Sequence, residues 1–174
     1  MLYGPRDPQR REEPVLRRVR AERARIPIGP ADPLWTRGHV DDIARGVVAA
    51  LDTPTATGQA INLGESTTYT LRGWFTRILR AAGADTELVT VPDHALPADL
   101  TLTRAPAQHL LVSCERARRL LGWRPDDPAA RIADSVRWHL ANPPPGPGWS
   151  EADTATDDAA LALADHPPDR GAAR

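Results

Sequence analysis

The side chains in this sequence able to do chemistry are few. They are His39, Asp41 and Asp42 in the run RGHVDD, Arg37 just ahead of them, the phenols of Tyr3 and Tyr69, His94, His109 and the thiol of Cys114. His39, Asp41 and Asp42 are metal-ligating types, yet they crowd the start of one helix without a further ligand set, so they do not build a zinc site. Asp42 is better placed to stabilise the positive end of that helix's dipole. Arg37 is a permanent planar cation that suits a solvent-facing loop or an ion pair with Asp41 or Asp42. His94 and His109 fall in aperiodic stretches, where a lone imidazole is usually a surface or hydrogen-bonding residue. Cys114 is the only cysteine, which excludes an internal disulfide and any zinc site built on paired thiolates. All 22 basic residues are Arg, so no lysine chemistry exists in the chain.

The periodicity predicts the elements that hold these residues. REEPVLRRVRAERAR reads as a helix with Pro14 in its first turn, acids ahead and Arg toward its end. IPIG follows as a short strand or extended link. From Val40, the residues Ile43, Ala44, Val47, Val48 and Leu51 mark one helical face that must pack against something. QAINLG reads as a short strand ending at Gly64. Thr70 caps a helix whose face is Leu71, Trp74, Phe75, Ile78 and Leu79, ended by Gly83. ELVTVP is a strand. Ser113 offers an N-cap to CERARRLL, and Gly122 a C-terminal left-handed residue. Asp127 and Pro128 open a last helix with Ile132, Val136 and Leu140 on one side. From Pro143 to Arg174 the Pro, Gly, Ala and Asp content predicts a disordered polar tail. Trp35, Trp74, Trp123 and Trp138 read as packing residues.

Taken in order, LYGPRDP, TRGHVDDIARGVVAAL, GQAINLGESTTYTLRGWFTRI, LVTVP and CERARRLLGWRPDDPAARIADSVRWH resemble the C-terminal half of extended short-chain dehydrogenase/reductases, the NAD-dependent epimerase/dehydratase family. The resemblance spans about residues 2–141. It implies an α/β fold: the last pieces of a Rossmann-like NAD(P)-binding sheet plus most of the smaller substrate-binding lobe, over residues 1–142. It implies an oxidoreductase or isomerase acting by transient hydride transfer with NAD or NADP in the complete protein, on a small-molecule, nucleotide-sugar-like substrate. By the same resemblance Arg37 would face a substrate diphosphate, Tyr3 would wall the cleft beside the YGP turn, and His94 would border the substrate pocket. Nucleotide-sugar enzymes often read RDF.HV.D where this chain reads RGHVDD, which leaves the substrate class open.

The parts that would run the reaction are not in these residues. A dinucleotide pyrophosphate needs a glycine-rich turn at a helix N-terminus, where free N–H groups face the phosphates. The family's proton transfer needs a Tyr whose pKa is lowered by a Lys four residues on. Tyr3 is followed by GPR and Tyr69 by TLR, so no catalytic residue is assigned and no cofactor is expected to bind this chain alone. Met1 is read as an internal codon or the gene as truncated, and a missing N-terminal half or partner subunit is expected. A regulatory lobe that needs such a partner is the alternative. The seven Arg against three Glu between Arg10 and Arg25 would admit nucleic acid, but the net charge of −1 argues for a solvated mixed-charge face. No apolar signal region or membrane-length run occurs, and the cytoplasm is the expected compartment.

Overall fold

The computed structural model describes residues 1–101 and 108–165. The elements in chain order are β1 (Leu2–Tyr3), α1 (Glu13–Arg20), β2 (Arg25–Ile28), β3 (Leu34–Trp35), β4 (Gly38–His39), α2 (Val40–Leu51), β5 (Tyr69–Thr70), α3 (Leu71–Ala81), β6 (Glu87–Thr90), α4 (Glu115–Leu121), α5 (Pro128–Ala141) and α6 (Glu151–Asp165). Three two-stranded sheets link them. β1 pairs in parallel with β4 (Tyr3 opposite His39), β2 in parallel with β6, and β3 antiparallel with β5 (Trp35 opposite Tyr69).

The expected capping holds at the helix starts that matter for position. Thr70 accepts from the Gly73 N–H at 3.0 Å, and Asp127 from the Ala130 N–H at 3.1 Å. Gly122 ends α4 in the left-handed region at φ 60°. At α4 the cap shifts by one residue to Cys114, which makes no side-chain cap bond. The main core joins Val15 and Leu16 of α1, Ile26 and Ile28 of β2, the face Trp74, Phe75, Ile78 and Leu79 of α3, and Ile132 and Val136 of α5. A smaller cluster holds Cys114, Ala117 and Trp123, with Ile61, Leu63 and Leu121 packed against it. Trp138 is only half-buried, with the Arg10 guanidinium 5.9 Å from its ring centre.

Three expectations are corrected. Residues 59–64 form no strand: the segment joins no ladder among the described residues. Its apolar alternation is satisfied by packing Ile61 and Leu63 on the smaller cluster, which does not by itself create a sheet. The apolar face of α2 is not covered either. Val47, Val48 and Leu51 are 51%, 56% and 81% exposed, while the helix buries Asp42 and Gly46 instead. Gly46 allows this close approach, since a Cβ there would sit 2.6 Å from Leu63.

The third correction concerns the tail. Residues 151–165 form α6, which lies against α1 and β2. Its seat is ionic as well as apolar. Ala160 and Leu161 are buried, and the fully buried Asp157 takes both Nε and Nη2 of the buried Arg18 at 2.8 and 2.6 Å. Asp153, Asp158 and Asp165 pair with Arg17, Arg23 and Arg25. A composition poor in core residues became ordered because a row of arginines supplies its partners, a tertiary match that composition alone does not reveal. Residues 166–174 lie outside the described residues. No helix among the described residues is long and apolar enough to cross a membrane.

Candidate functional site

Of the residues singled out at the sequence level, Arg37, His39 and Trp74 gather around Tyr3. Strand β1 delivers Tyr3 and strand β4 follows Arg37, so the parallel pairing of two residues each sets phenol and guanidinium side by side. Helix α3 supplies Trp74 from its buried face. The Arg37 guanidinium lies with its carbon 4.5 Å from the Trp74 ring centre, and Tyr3 meets the same ring edge-on at 6.0 Å. Glu65 approaches from the turn after residue 64, where its backbone N–H donates to the Arg37 carbonyl at 2.7 Å. The Tyr3 hydroxyl donates to Glu65 Oε1. Tyr3, Arg37 and Trp74 are at most 1% exposed and Glu65 is 6% exposed.

The electrostatics of this cluster are those of a buried, incompletely paired set. Arg37 Nη1 donates to the Trp35 and Tyr69 carbonyls at 3.1 and 3.2 Å, while Nε and Nη2 have no hydrogen-bond partner. Burial lowers the Arg37 pKa to about 10. Burial raises the Glu65 carboxyl to about 7, against the opposing influence of the Tyr3 hydrogen bond and Arg37. Tyr3 is raised by burial and by the neighbouring Glu65. That is the opposite of activation: a phenol beside a carboxylate holds its proton, so Tyr3 can donate a hydrogen bond but cannot act as a base near neutral pH.

Arg37 pairs with neither Asp41 nor Asp42. Asp42 is buried and takes Arg131 at 2.6 Å and Arg45 at 2.7 Å, so it ties α2 to α5 in addition to facing the helix dipole. His39 is the N-cap of α2, its Nδ1 accepting from the Asp41 N–H at 3.3 Å. No group of three metal-ligating side chains occurs among the described residues. His94 sits exposed in the short 3-10 turn Asp93–Ala95 after β6, and no contact joins it to Tyr3 or Arg37. His109 is exposed and accepts from the Leu34 N–H at 3.0 Å, a structural task. Cys114 is buried.

A second polar cluster, absent from the sequence reading, lies on the other side of the Tyr3–Gly4–Pro5 turn. Glu12, Ser135 and His139 are fully buried. Ser135 donates to Glu12 Oε1, and His139 Nε2 lies 3.1 Å from the Gly4 carbonyl and 3.5 Å from Glu12 Oε2. Burial raises the Glu12 carboxyl to about 7 and lowers His139. Only His139 carried a sequence signal, as a polar residue in the apolar register of α5. Glu12 and Glu65 looked like ordinary solvated acids.

The described residues do not fit a dinucleotide. The helices of eight residues or more follow Glu12, His39, Thr70, Asp127 and Ser150, and at the last four a first-turn N–H is already engaged by the side chain of that residue. Glycines lie just ahead of α6, at Gly146 and Gly148, but no strand leads into them and Ser150 takes the Asp153 N–H, so among the described residues no strand–glycine-turn–helix cradle faces a pyrophosphate. On the α2 side lies an apolar groove of about 440 Å³ lined by Val47, Leu51, Ile61, Leu63 and Leu121 among others.

No protein-family model matches the chain. It is 28% identical over 168 residues to the chloroplast stem-loop binding protein of 41 kDa b of Arabidopsis thaliana, covering 92% of this chain and 42% of that protein. Its fold is similar to that of the UDP-glucuronic acid 4-epimerase of Bacillus cereus, solved in complex with UDP-glucuronic acid and NAD, at TM-score 0.63 and 19% identity over 81% of this chain and 43% of that one. The UDP-glucose 4-epimerase of Thermotoga maritima, solved with UDP-glucose, gives TM-score 0.61 at 20% identity over 80% and 43%. The chain thus has the α/β fold of the C-terminal portion of Rossmann-like epimerases, and spans less than half the length of these relatives.

Proposed function

We propose that this chain is the substrate-lobe portion of an NAD(P)-dependent epimerase/dehydratase-type oxidoreductase or isomerase, working in the cytoplasm with a dinucleotide-binding half supplied from elsewhere. The observation that supports this reading is a pair of unfinished surfaces: the bare apolar face of α2 and the segment 59–64, which joins no ladder among the described residues, flank one apolar groove. Exposed apolar side chains gathered on one face mark an interface, and backbone groups outside a ladder are available to pair with a strand of another chain. A parallel sheet laid along 59–64 and covered by α2 would satisfy both. In that assembly NAD(P) would supply the hydride chemistry from the other half. This chain would supply Arg37 as the cation for an anionic, nucleotide-sugar-like substrate, Tyr3 as a wall, and His94 at the pocket border. Reaching Arg37 requires displacement of the residues that now bury it.

Intact mass with peptide mapping of the protein from its native cells tests the reading. A mass well above 18.9 kDa, with upstream peptides carrying a glycine-rich turn and a Tyr/Lys pair, is the expected result. A mass equal to the printed chain and no co-purifying dehydrogenase would overturn it.

A second reading, a nucleic-acid-binding module, is supported by the name of the Arabidopsis relative. Against it, Arg17, Arg18, Arg23 and Arg25 are paired with carboxylates of α6. Stem-loop RNA binding that weakens steeply with salt would favour it.

A further inference from the structure

The Tyr3–Gly4–Pro5 turn is held from both sides by side chains that have little else to do. On one side the Tyr3 hydroxyl ends on Glu65. On the other the Gly4 carbonyl lies 3.1 Å from His139 Nε2, which in turn neighbours Glu12. Gly4 itself has φ 135°, a backbone state that favours glycine, and a Cβ there would lie 3.0 Å from His39 Nε2. The turn therefore cannot shift without disturbing both clusters.

Each cluster contains a carboxyl whose ionised form would be poorly served. Glu12 Oε2 and Glu65 Oε2 are buried and have no hydrogen-bond partner. Among the described residues no Arg lies within salt-bridge distance of either; the ionisable contacts are His139 beside Glu12 and the Tyr3 hydroxyl on Glu65. An ionised carboxylate in such a place draws in water or moves toward it, because desolvation without pairing is among the costliest states of a side chain. Other charges face these groups from every packed element: Asp7, Arg11 and Glu12's neighbour Glu13 from the turn and α1, Arg10 near His139, and Arg37, Asp42 and the Met1 ammonium around Glu65. Of these cations Arg11 pairs with Asp7, while Arg10, Arg37 and the Met1 ammonium donate to backbone carbonyls, so none of them makes an ion pair with Glu12 or Glu65.

We propose that Glu12 and Glu65 form a two-proton latch on the Tyr3–Gly4–Pro5 turn, closed when both carboxyls are protonated and opened when they ionise and admit water. The midpoints of about 7 for both groups place the transition in the physiological range. The direction is fixed: raising pH opens the turn, and lowering it seals Tyr3 against Trp74. Opening would also unroof Arg37, which shares Trp74 and Glu65 with Tyr3. The latch is a property of the fold and stands whether or not the substrate reading holds.

Amide hydrogen exchange of the full chain, read at Tyr3 and Gly4 and corrected for intrinsic pH dependence, tests this with α3 amides as internal reference. In the wild type, protection of the turn should fall between pH 6 and pH 8 by at least about tenfold more than that of α3. The Glu12→Gln/Glu65→Gln protein, uncharged at both sites, should keep its protection at both values. Wild-type protection that does not change with pH overturns the proposal, as does a change that survives in the double variant or spreads equally to α3. Should the double variant not fold, Glu65→Gln alone and a carbon-13 titration of the two wild-type carboxyls decide: midpoints for both below pH 5 overturn it.

Discussion

At the residue scale, two buried arginines make opposite predictions. Arg18 has a fully buried carboxylate partner in Asp157 and a second in Asp99, whereas Arg37 has two carbonyls, a Trp face and two unpaired nitrogens. Removing one member of a buried pair strands the other, so Arg18→Met should cost about 3–5 kcal/mol in urea unfolding. Arg37 leaves no paired carboxylate behind, and Arg37→Met should change stability by less than about 1.5 kcal/mol or raise it, because an ion replaced by a packed apolar chain is often neutral. A ligand role for Arg37 would then appear as lost binding of UDP-glucose by the assembled enzyme without lost stability. The carboxyls give a pH prediction. Folded Glu12 and Glu65 are raised from 4.5 to about 7, so the stability they contribute is fully present below about pH 4.5 and is lost as pH rises through 7. The loss is on the order of 3 kcal/mol per group, and Glu65→Gln should be more stable than wild type at pH 8 but not at pH 4.5 in chemical denaturation.

At the element scale, α2 and α6 exchange the roles that their compositions suggest. Helix α2 has the apolar periodicity of a core helix and shows that face to solvent. Helix α6 comes from an acidic, alanine-rich stretch and buries a carboxylate. For α2, Val47→Glu with Leu51→Lys should abolish concentration-dependent light scattering of the isolated chain while leaving unfolding within about 0.5 kcal/mol, since both sites are exposed. The same pair should weaken assembly with a dinucleotide-binding half. For α6, the ladder of ion pairs is graded by burial. Asp158 is 58% exposed in its side chain, and Asp158→Asn should cost less than about 1 kcal/mol. Asp157→Asn should approach the cost of Arg18→Met, and only the exposed pairs should weaken when salt is raised. Thermal unfolding of the four proteins in low and high salt separates these cases.

At the scale of the whole molecule, the described residues build an α/β fold from three two-stranded sheets among six α-helices. Sheets that small do not stabilise themselves, and here each is held by helices packed on the common core. The match covers only 43% of the Bacillus cereus and Thermotoga maritima epimerases, which are solved with UDP-glucuronic acid and NAD and with UDP-glucose. In the proposed assembly, the amides of α2 and of residues 59–64 should gain exchange protection on addition of the dinucleotide-binding half, while those of α3 and α5, already in the core, should not. Equal protection everywhere would point to general tightening, and none would leave the two surfaces without that partner.

The helices, their caps and the main core were legible in the sequence, because 3.6-residue periodicity, Thr70, Asp127 and Gly122 act within a turn or two of chain. The resemblance of the YGP, RGHVDD and NLG segments was legible too, and with it the α/β fold. What the sequence could not decide was which expected surface finds a partner inside this chain. QAINLG has strand composition but lacks a neighbour, and 151–165 has tail composition but meets an arginine row more than 120 residues earlier. Nor could it decide the state of the site. Glu12 and Glu65 are ordinary acids until folding removes their water, and Arg37 is an ordinary cation until Trp74 and Tyr3 close over it. Local interactions are written in short stretches of sequence, whereas desolvation and pairing exist only once distant segments meet.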